Sequence, residues 1–430
     1  MLKTGHSDAR RYQHTRWNFG VMVLGTGAWV AGLAFVEPIA VLPVLITSLG
    51  GSQLVVGLAS AAQQATWVLP HLLAVSMALR RPRKKPLVFY PCLITRLPFL
   101  LIAIAFSLSW ASTHERALLY LVIAVYAFFF LGEGLSNVSW YDILARSVPP
   151  TRRGRLVGGM QVVGGVLAIG SGAVVQRTLS DSSLPFPQNY GRLFVFLTIG
   201  MGLATVALAL IREPPGDASP REEPAARFIR SIPEMLRRYP LLRRMVPVQL
   251  LCGFSAAAAP FYAVHASSRL HLPPSVGGLF IWAATIGAVV AGFVYGYFSD
   301  RFGSTRVIRS TACMVVLAPL LALLVPFFAR AAGLESGLAY LYGLVFIAHG
   351  TIWGGTWMGF GNYILEIAPA ALRPSFVALR VVFSLPIAVM PIMGGLICRV
   401  VSFEALFLLV AVGGIASVVY AWRLEEPRMA

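Results

Sequence analysis

Long apolar segments alternate with short polar ones along the whole chain. Most apolar runs extend for about 20 residues or more, the length that an α-helix needs to cross the hydrocarbon core of a bilayer. Because backbone in lipid has to satisfy its own hydrogen bonds, these runs predict helices. We place twelve spans at 18–47, 54–79, 86–110, 117–142, 155–178, 191–211, 245–268, 275–299, 306–329, 336–365, 375–398 and 402–422.

The spans repeat as two halves. Gly57 matches Gly278 and Arg80 matches Arg301, both at an offset of 221 residues. The pattern predicts an all-α polytopic membrane protein with twelve transmembrane helices in two pseudo-symmetric six-helix bundles. Its predicted parts are an N-terminal tail (1–17), a first bundle (18–212), a central loop (213–244), a second bundle (245–423) and a C-terminal tail (424–430).

Composition and charge agree with this prediction. The chain of 430 residues is 57% hydrophobic and 12% charged, whereas soluble domains carry about 25% charged residues. The Lys and Arg residues behind the net charge of +18 are distributed asymmetrically, since 28 of the 35 lie in the tails, in the loops after even-numbered spans or within six residues of those loops. Arg96 is the one residue counted as lying deep within a span. The positive-inside rule then predicts an inner or plasma membrane protein with both termini cytoplasmic, whose basic loops contact anionic lipids rather than nucleic acid.

The loop between spans 8 and 9 carries a recognisable motif. Residues 296–306 read Gly-Tyr-Phe-Ser-Asp-Arg-Phe-Gly-Ser-Thr-Arg. This is similar to the loop motif of the major facilitator superfamily, with Gly296, Asp300, Arg301, Gly303 and Arg306 at the motif positions. The resemblance implies a transporter with its solute site near mid-membrane between the two bundles. An aspartate at the end of span 8 is also expected to pair with an arginine of span 11 and latch the cytoplasmic side, although a plain topology signal is the alternative.

Other signatures of the family are incomplete. The loop between spans 2 and 3 has the basic cluster that includes Arg80, but Leu79 occupies the position of the acid. Drug–proton antiporters of the family usually carry an Arg ahead of two glycines in span 4. Here Gly132 and Gly134 are present, but Phe128 replaces the Arg. Span 5 has no Gly-Pro pair. These departures weaken an assignment to that subfamily.

Two acids lie well inside predicted spans, where a charge costs about 2.5–3.5 kcal/mol on insertion scales. Glu37 lies in span 1 between apolar residues and is followed by Pro38 and Pro43, which should interrupt the helix. We interpret Glu37 as a candidate for proton coupling or for holding a polar or cationic group. The alternative is a carboxyl kept neutral by burial and bonded to backbone.

The second acid, Glu133 of span 4, has a possible partner. Glu133 and Arg96 of span 3 lie at matching depths, each about 15 Å from the cytoplasmic end of its span at 1.5 Å per residue. We therefore predict an ion pair. It would be structural, or it would break during transport.

Polar and aromatic residues spaced four apart form stripes on three helices, because such residues share a helix face. Large aromatic side chains with a few polar tips are typical of a pocket for an amphipathic solute, and ordinary helix packing is the alternative. The stripes are Gln63, Trp67 and His71 in span 2; Glu133, Asn137 and Tyr141 in span 4; and His349, Trp353 and Trp357 in span 10.

The sequence thus predicts a secondary transporter that exports a small amphipathic solute and is coupled to protons or another ion. Uptake of a sugar or other polar metabolite is the alternative, and a non-transporting membrane sensor is an alternative from another class. Because no Walker loop, zinc motif or nucleophile–base motif is found in the sequence, we expect no cofactor, no metal and no enzymatic activity. A monomer would be sufficient.

Overall fold

The computed structural model describes residues 12–214, 225–369 and 372–427, with backbone alone at 71–73, 75–76, 78–80, 150, 225–229 and 374. Within these ranges it is helical and contains no strand. The first half consists of α1 (Thr15–Ala34), α2 (Leu42–Ser48), α3 (Gln53–Arg80), α4 (Lys85–Arg96), α5 (Pro98–Ser107), α6 (Glu115–Ser147), α7 (Pro150–Ser180) and α8 (Gln188–Leu210).

The second half begins with α9 (Ala225–Arg238), which precedes the remaining spans. It continues with α10 (Pro240–Gly253), α11 (Ala259–Ser268), α12 (Gly277–Phe302), α13 (Ser304–Ala331), α14 (Leu338–Ile367), α15 (Arg373–Val382), α16 (Leu385–Ala388), α17 (Met390–Val400) and α18 (Phe403–Trp422). Short 3-10 helices lie at Ser109–Thr113, Phe254–Ala257, Pro274–Val276 and Glu335–Gly337.

These helices account for the predicted spans. In the described ranges, 11 helical segments are long and apolar enough to cross a membrane, and they coincide with spans 1 and 3–12. The helix α3, with 28 residues, occupies the place of span 2. The predicted all-α polytopic fold is therefore confirmed.

By its internal contacts the chain forms two compact units. Unit 1 contains Met1–Val36 and Gln63–Glu223, and unit 2 contains Glu37–Ala62 and Pro224–Ala430. The segment Glu37–Ala62 precedes the predicted boundary at residue 212, yet its contacts group it with the second half. Within unit 2 the helix α2 lies against α11.

Unit 1 is organised around close helix contacts. The helix α1 packs against α7 and α8, α4 packs against α6, and α5 packs against α8. Gly32 of α1 faces Gly200 of α8 so closely that a Cβ on Gly32 would lie 3.2 Å from the Gly200 backbone. Small residues of this kind let two backbones approach in lipid, where no hydrophobic effect drives helices together.

In unit 2, two glycine faces of α14 fix its orientation. Gly350 lies against the backbone carbonyl of Ala284 in α12, with no space for a side chain. On another face Gly355 lies against Thr311 of α13, again with no space for a Cβ. Trp353 and Trp357 flank the face of α14 that meets α12, and both indoles remain exposed.

Spans 1, 3, 7 and 11 are broken helices. Proline lacks an N–H group and its ring clashes with the preceding turn, so it is tolerated in the first turn of a new helix but not within most helices. Each break has a proline within it or in the first two turns that follow. The prolines are Pro38 and Pro43 in span 1, Pro98 in span 3, Pro260 in span 7, and Pro386 and Pro391 in span 11. The break predicted in span 1 is confirmed.

A glutamate stabilises the start of the third span in unit 1. Glu213 accepts hydrogen bonds from the backbone N–H groups of Lys84, at 2.5 Å, and Lys85, at 3.0 Å, where α4 begins. The first N–H groups of a helix have no partner within the helix, and they carry partial positive charge. Desolvation lowers the pKa of the Lys84 ammonium, while the nearby carboxylates of Asp142 and Glu213 oppose this shift.

Unit 2 has the same type of helix cap. Glu426 accepts hydrogen bonds from the backbone N–H of Thr305, at 3.1 Å, and from its hydroxyl, where α13 begins. Its carboxylate fills the space beside Gly303, whose φ of +88° is accessible to glycine with little strain. In both halves a Glu-Pro pair directly after the sixth span thus caps the third span. The internal repeat extends to these caps, which the sequence analysis did not identify.

The central segment contains the helix α9. Its pattern of apolar and basic residues is typical of an amphipathic helix on the membrane surface, with a solvated linker as the alternative, and the structure shows a helix. Arg237 and Arg238 are exposed, whereas Met235 and Leu236 are half-buried. Contact of this helix with the membrane surface stays a prediction.

We expect Glu426→Ala to destabilise unit 2, because it leaves the first N–H groups of α13 without their charged acceptor. Hydrogen bonds to charged groups contribute about 1.5–3 kcal/mol each. The apparent melting temperature of the detergent-purified protein, followed by scanning fluorimetry, should fall. The control is Glu335→Ala, which removes an exposed carboxylate whose ion pair with Arg330 spans 4.0 Å. Equal melting temperatures for the two variants would contradict the capping role.

Candidate functional site

Glu37 occupies the break between α1 and α2. Its Oε2 accepts hydrogen bonds from the backbone N–H groups of Ile39, at 2.7 Å, and Ala40, at 2.5 Å. The carboxyl group therefore replaces the backbone acceptors that Ile39 and Ala40 lose where the helix is interrupted. In unit 1, the freed carbonyl of Val36 accepts a hydrogen bond from the hydroxyl of Tyr126 in α6, at 2.7 Å.

This geometry is compatible with both predicted roles of Glu37. Both backbone donors point to the same oxygen, Oε2. A proton on Oε1 would leave both of these bonds in place, so the break can persist in either protonation state. Glu37 is half-buried, and it can act as a structural cap and still exchange a proton.

Arg96 and Glu133 form the predicted ion pair inside unit 1. The Glu133 Oε1 accepts from Arg96 Nη2 at 2.7 Å and from Nε at 3.0 Å, and the two side chains are 7% and 11% exposed. Thr205 of α8 accepts a third bond from Arg96 Nη1 at 3.0 Å. The pair thus joins α4, α6 and α8.

The surroundings of this pair favour a structural role. Gly132, next to Glu133, lies so close to Thr95 that no side chain fits there. A buried ion pair that loses one partner leaves an uncompensated charge in a medium of low polarity. The structure places Arg96 and Glu133 within the packed interior of unit 1, away from its exposed surfaces.

The other candidate residues of unit 1 lie in different surroundings. Trp67 is half-buried and its ring contacts Phe130 at a centroid distance of 6.0 Å, which is a helix-packing contact. Gln63 and Asn137 are half-buried, and Tyr141 is 52% exposed. The side chains of His71 and Arg80 lie outside the described part of the chain. The stripe of span 4 thus runs from a buried end at Glu133 to an exposed end at Tyr141.

The stripe of span 10 is assembled on one face of α14. Trp353 and Trp357 are 62% and 42% exposed, and their rings meet edge to face at 6.1 Å. His349 lies one turn earlier, 6.3 Å from the ring of Tyr262. Its Nδ1 is buried and has no hydrogen-bond partner among the described residues.

A cation that the sequence analysis missed lies on the same face. Arg380 was counted with the loop before span 11, but it belongs to α15 and lies within the apolar segment Ser375–Val400. Its guanidinium is 5.3 Å from the ring centre of Trp357, and its Nη2 donates to the carbonyl of Thr356 at 3.2 Å. Its position inside the predicted span 375–398 was the signal that could have identified it.

The position of Arg380 bears on the environment of this face. Ionisable side chains in membrane spans face the protein interior or a water-filled cavity and not lipid. The indoles of Trp353 and Trp357 are exposed, and the guanidinium of Arg380 lies against the ring of Trp357. We therefore interpret the exposed indoles of Trp353 and Trp357 as the wall of a hydrated cavity.

The charged motif residues Asp300, Arg301 and Arg306 are exposed where α12 ends and α13 begins. Arg301 donates to the hydroxyl of Tyr297 at 2.7 Å, and Arg306 lies 4.5 Å from the ring centre of Phe302. Gly303 adopts the positive φ that the motif's glycine allows. Asp300 is exposed and Gly296 is half-buried. A latch between Asp300 and span 11 stays a prediction.

Comparison with known proteins decides the family. The chain matches the family model described as Major Facilitator Superfamily over residues 19–384 and 245–430. The protein belongs to the major facilitator superfamily. The resemblance inferred from residues 296–306 is thereby confirmed, and the protein is a membrane-embedded transporter and not an enzyme.

Solved structures of transporters share this superfamily fold. A D-xylose–proton symporter has a TM-score of 0.69 at 14% identity, with 97% of this chain and 99% of that chain covered. A mutant of the nucleoside transporter NupG has a TM-score of 0.68 at 12% identity, covering 96% and 100%. A POT family transporter in complex with 5-aminolevulinic acid has a TM-score of 0.66 at 11% identity, covering 94% and 95%.

Identities this low show the fold and not the substrate. A search of curated proteins found no match.

The structural role of the Arg96–Glu133 pair leads to a rescue experiment. Arg96→Glu or Glu133→Arg alone should lower the melting temperature sharply, since breaking a buried pair costs about 3–5 kcal/mol. Combining both substitutions should recover much of the loss, because opposite charges again face each other between α4 and α6. The measurement is scanning fluorimetry on purified protein. A double variant as unstable as the worse single variant would count against the structural role.

Proposed function

We propose that this superfamily member is a secondary active transporter that exports a small amphipathic solute by alternating access and is driven by protons. The observation that carries the proposal is the face of α14 on which Trp353 and Trp357 lie exposed beside Arg380. Exposed indole rings give a solute large apolar contact area, and the nearby cation gives it a polar anchor. The predicted orientation, with both termini cytoplasmic, is part of this proposal.

A polar solute such as a sugar is the alternative, and the amide side chains bear on it. A sugar site needs many amide and hydroxyl groups aimed into one cavity. Asn362 of span 10 is one amide that could serve such a site, but it donates to the hydroxyl of Ser299 in α12 at 2.9 Å. That contact joins two helices within unit 2. Because the amide of Asn362 is engaged in a helix contact, it supports the amphipathic solute over the polar one.

Proton coupling rests on Glu37. A coupling carboxyl has to change its protonation state without collapsing the helix around it. The arrangement at the break of span 1 meets this requirement, because both backbone donors use Oε2. The region that corresponds to it in span 7, Ala259-Pro260, repeats the proline without the acid. The acid is therefore dispensable for a proline break in this fold, which supports a role of Glu37 in transport.

Glu37→Gln tests the coupling directly. The amide keeps one oxygen for the N–H groups of Ile39 and Ala40 but cannot take up a proton, so we expect a folded protein without proton-driven flux. The measurement is transport in proteoliposomes under an imposed pH gradient, with a solute identified by thermal-shift screening of metabolites and drugs.

The matched control is Glu335→Gln, an exposed acid in a loop. Gradient-driven flux that survives in Glu37→Gln would contradict the coupling role. A wild-type protein that binds ligands but moves none of them would favour a membrane sensor, and ligands confined to polyols would favour the polar alternative.

A further inference from the structure

The surroundings of Arg380 form a built site within unit 2, made by three spans. The side chain projects from α15 of span 11 onto α14 of span 10, where it meets the carbonyl of Thr356 and the ring of Trp357. On the same stripe, a Cβ built on Gly361 would lie 3.5 Å from Arg380 Nη1. The guanidinium therefore lies along the stripe of α14 that begins at Trp353.

Hydrogen bonds to the backbone carbonyl of Arg380 fix the position of this residue. Its carbonyl accepts from the Nε2 of Gln249 in α10 at 3.0 Å and from the hydroxyl of Ser384 at 3.0 Å. The same Nε2 lies 3.1 Å from that hydroxyl. Gln249 is 3% exposed, so this anchor is buried. The helix α15 ends at Val382, and the anchor replaces hydrogen bonds that the break before Pro386 removes.

This arrangement holds a cation in a defined place inside the membrane region. A guanidinium stays charged and presents five N–H donors in a planar fork, which matches the two oxygens of a carboxylate. Such charge-assisted bonds are about twice as strong as neutral ones. The indole ring of Trp357 beside it offers a flat apolar surface within reach of whatever the fork binds. The two features together match a ligand that has an oxyanion attached to an aromatic ring.

We propose that Arg380, Trp357 and Trp353 bind the solute as an aromatic acid. The guanidinium of Arg380 would pair with the carboxylate of the solute, and its ring would stack against the indoles. Gln249 acts as a positioning residue that fixes Arg380 through the backbone. This inference rests on the proposed transport function and narrows the amphipathic solute to an anion.

A ligand series on the wild-type protein tests the sign of the charge. Naphthalene-2-carboxylate and indole-3-acetate are compared with their neutral amides and with 2-naphthylmethylamine by titrated thermal shift in detergent. We expect each acid to bind about tenfold to a hundredfold more tightly than its amide, and the amine to bind more weakly still. Amides or the amine that bind as tightly as the acids would overturn the proposal, as would a protein that binds neither acid.

Three variants locate the binding. Arg380→Gln should weaken both acids to the level of their amides and leave amide binding unchanged, whereas Arg380→Lys should retain part of the preference for acids. Trp357→Leu should weaken naphthalene-2-carboxylate about twofold to tenfold more than cyclohexanecarboxylate, which has no aromatic ring. The matched control is Arg399→Gln, an exposed arginine at the other end of the same span. Acid binding that Arg380→Gln leaves unchanged would overturn the assignment.

This outcome is separable from a failure of the transport proposal. If the protein carries a neutral or cationic amphipathic solute in proteoliposomes while the acids do not bind, the aromatic-acid site is wrong and the exporter stands. If the acids bind as described but no gradient-driven flux occurs, the site stands and the secondary transporter is wrong.

Discussion

Backbone groups inside a bilayer need partners from the protein itself, and in this transporter side chains supply them at two of the broken spans and at the starts of two others. An unsatisfied N–H or C=O in hydrocarbon costs several kcal/mol, so a proline break is stable only when something nearby replaces the lost bonds. Glu37 does so in span 1, and Gln249 with Ser384 does so in span 11. Glu213 and Glu426 do the same at the starts of α4 and α13.

Arg96 and Arg380 both lie within spans, but their surroundings differ. Arg96 is neutralised by Glu133 and anchored to Thr205, which closes the interior of unit 1. Arg380 instead lies along exposed indoles, with its backbone tied down by Gln249. The first arrangement stabilises a packed bundle. In our proposal, the second provides the positive charge that binds the solute.

A helix break and an ion pair could be predicted from the sequence. The break near Glu37 followed from Pro38 and Pro43, and the pair of Arg96 with Glu133 followed from equal depths on consecutive spans. The glutamate caps could not be predicted from the sequence, because Glu213 lies 129 residues from Lys84 and Glu426 lies 121 residues from Thr305. Arg380 was missed for a simpler reason, since a charge near the edge of a span was counted as part of the loop.

Everything proposed about the solute depends on the tryptophan face of α14 bordering water and not lipid. In a variant whose four native cysteines are replaced by alanine, Trp353→Cys can be treated in sealed vesicles with a membrane-impermeant thiol reagent, with Phe293→Cys on exposed α12 as the control. The account predicts rapid modification at position 353 and little at 293. Protection of position 353 to the same degree as position 293 would contradict it.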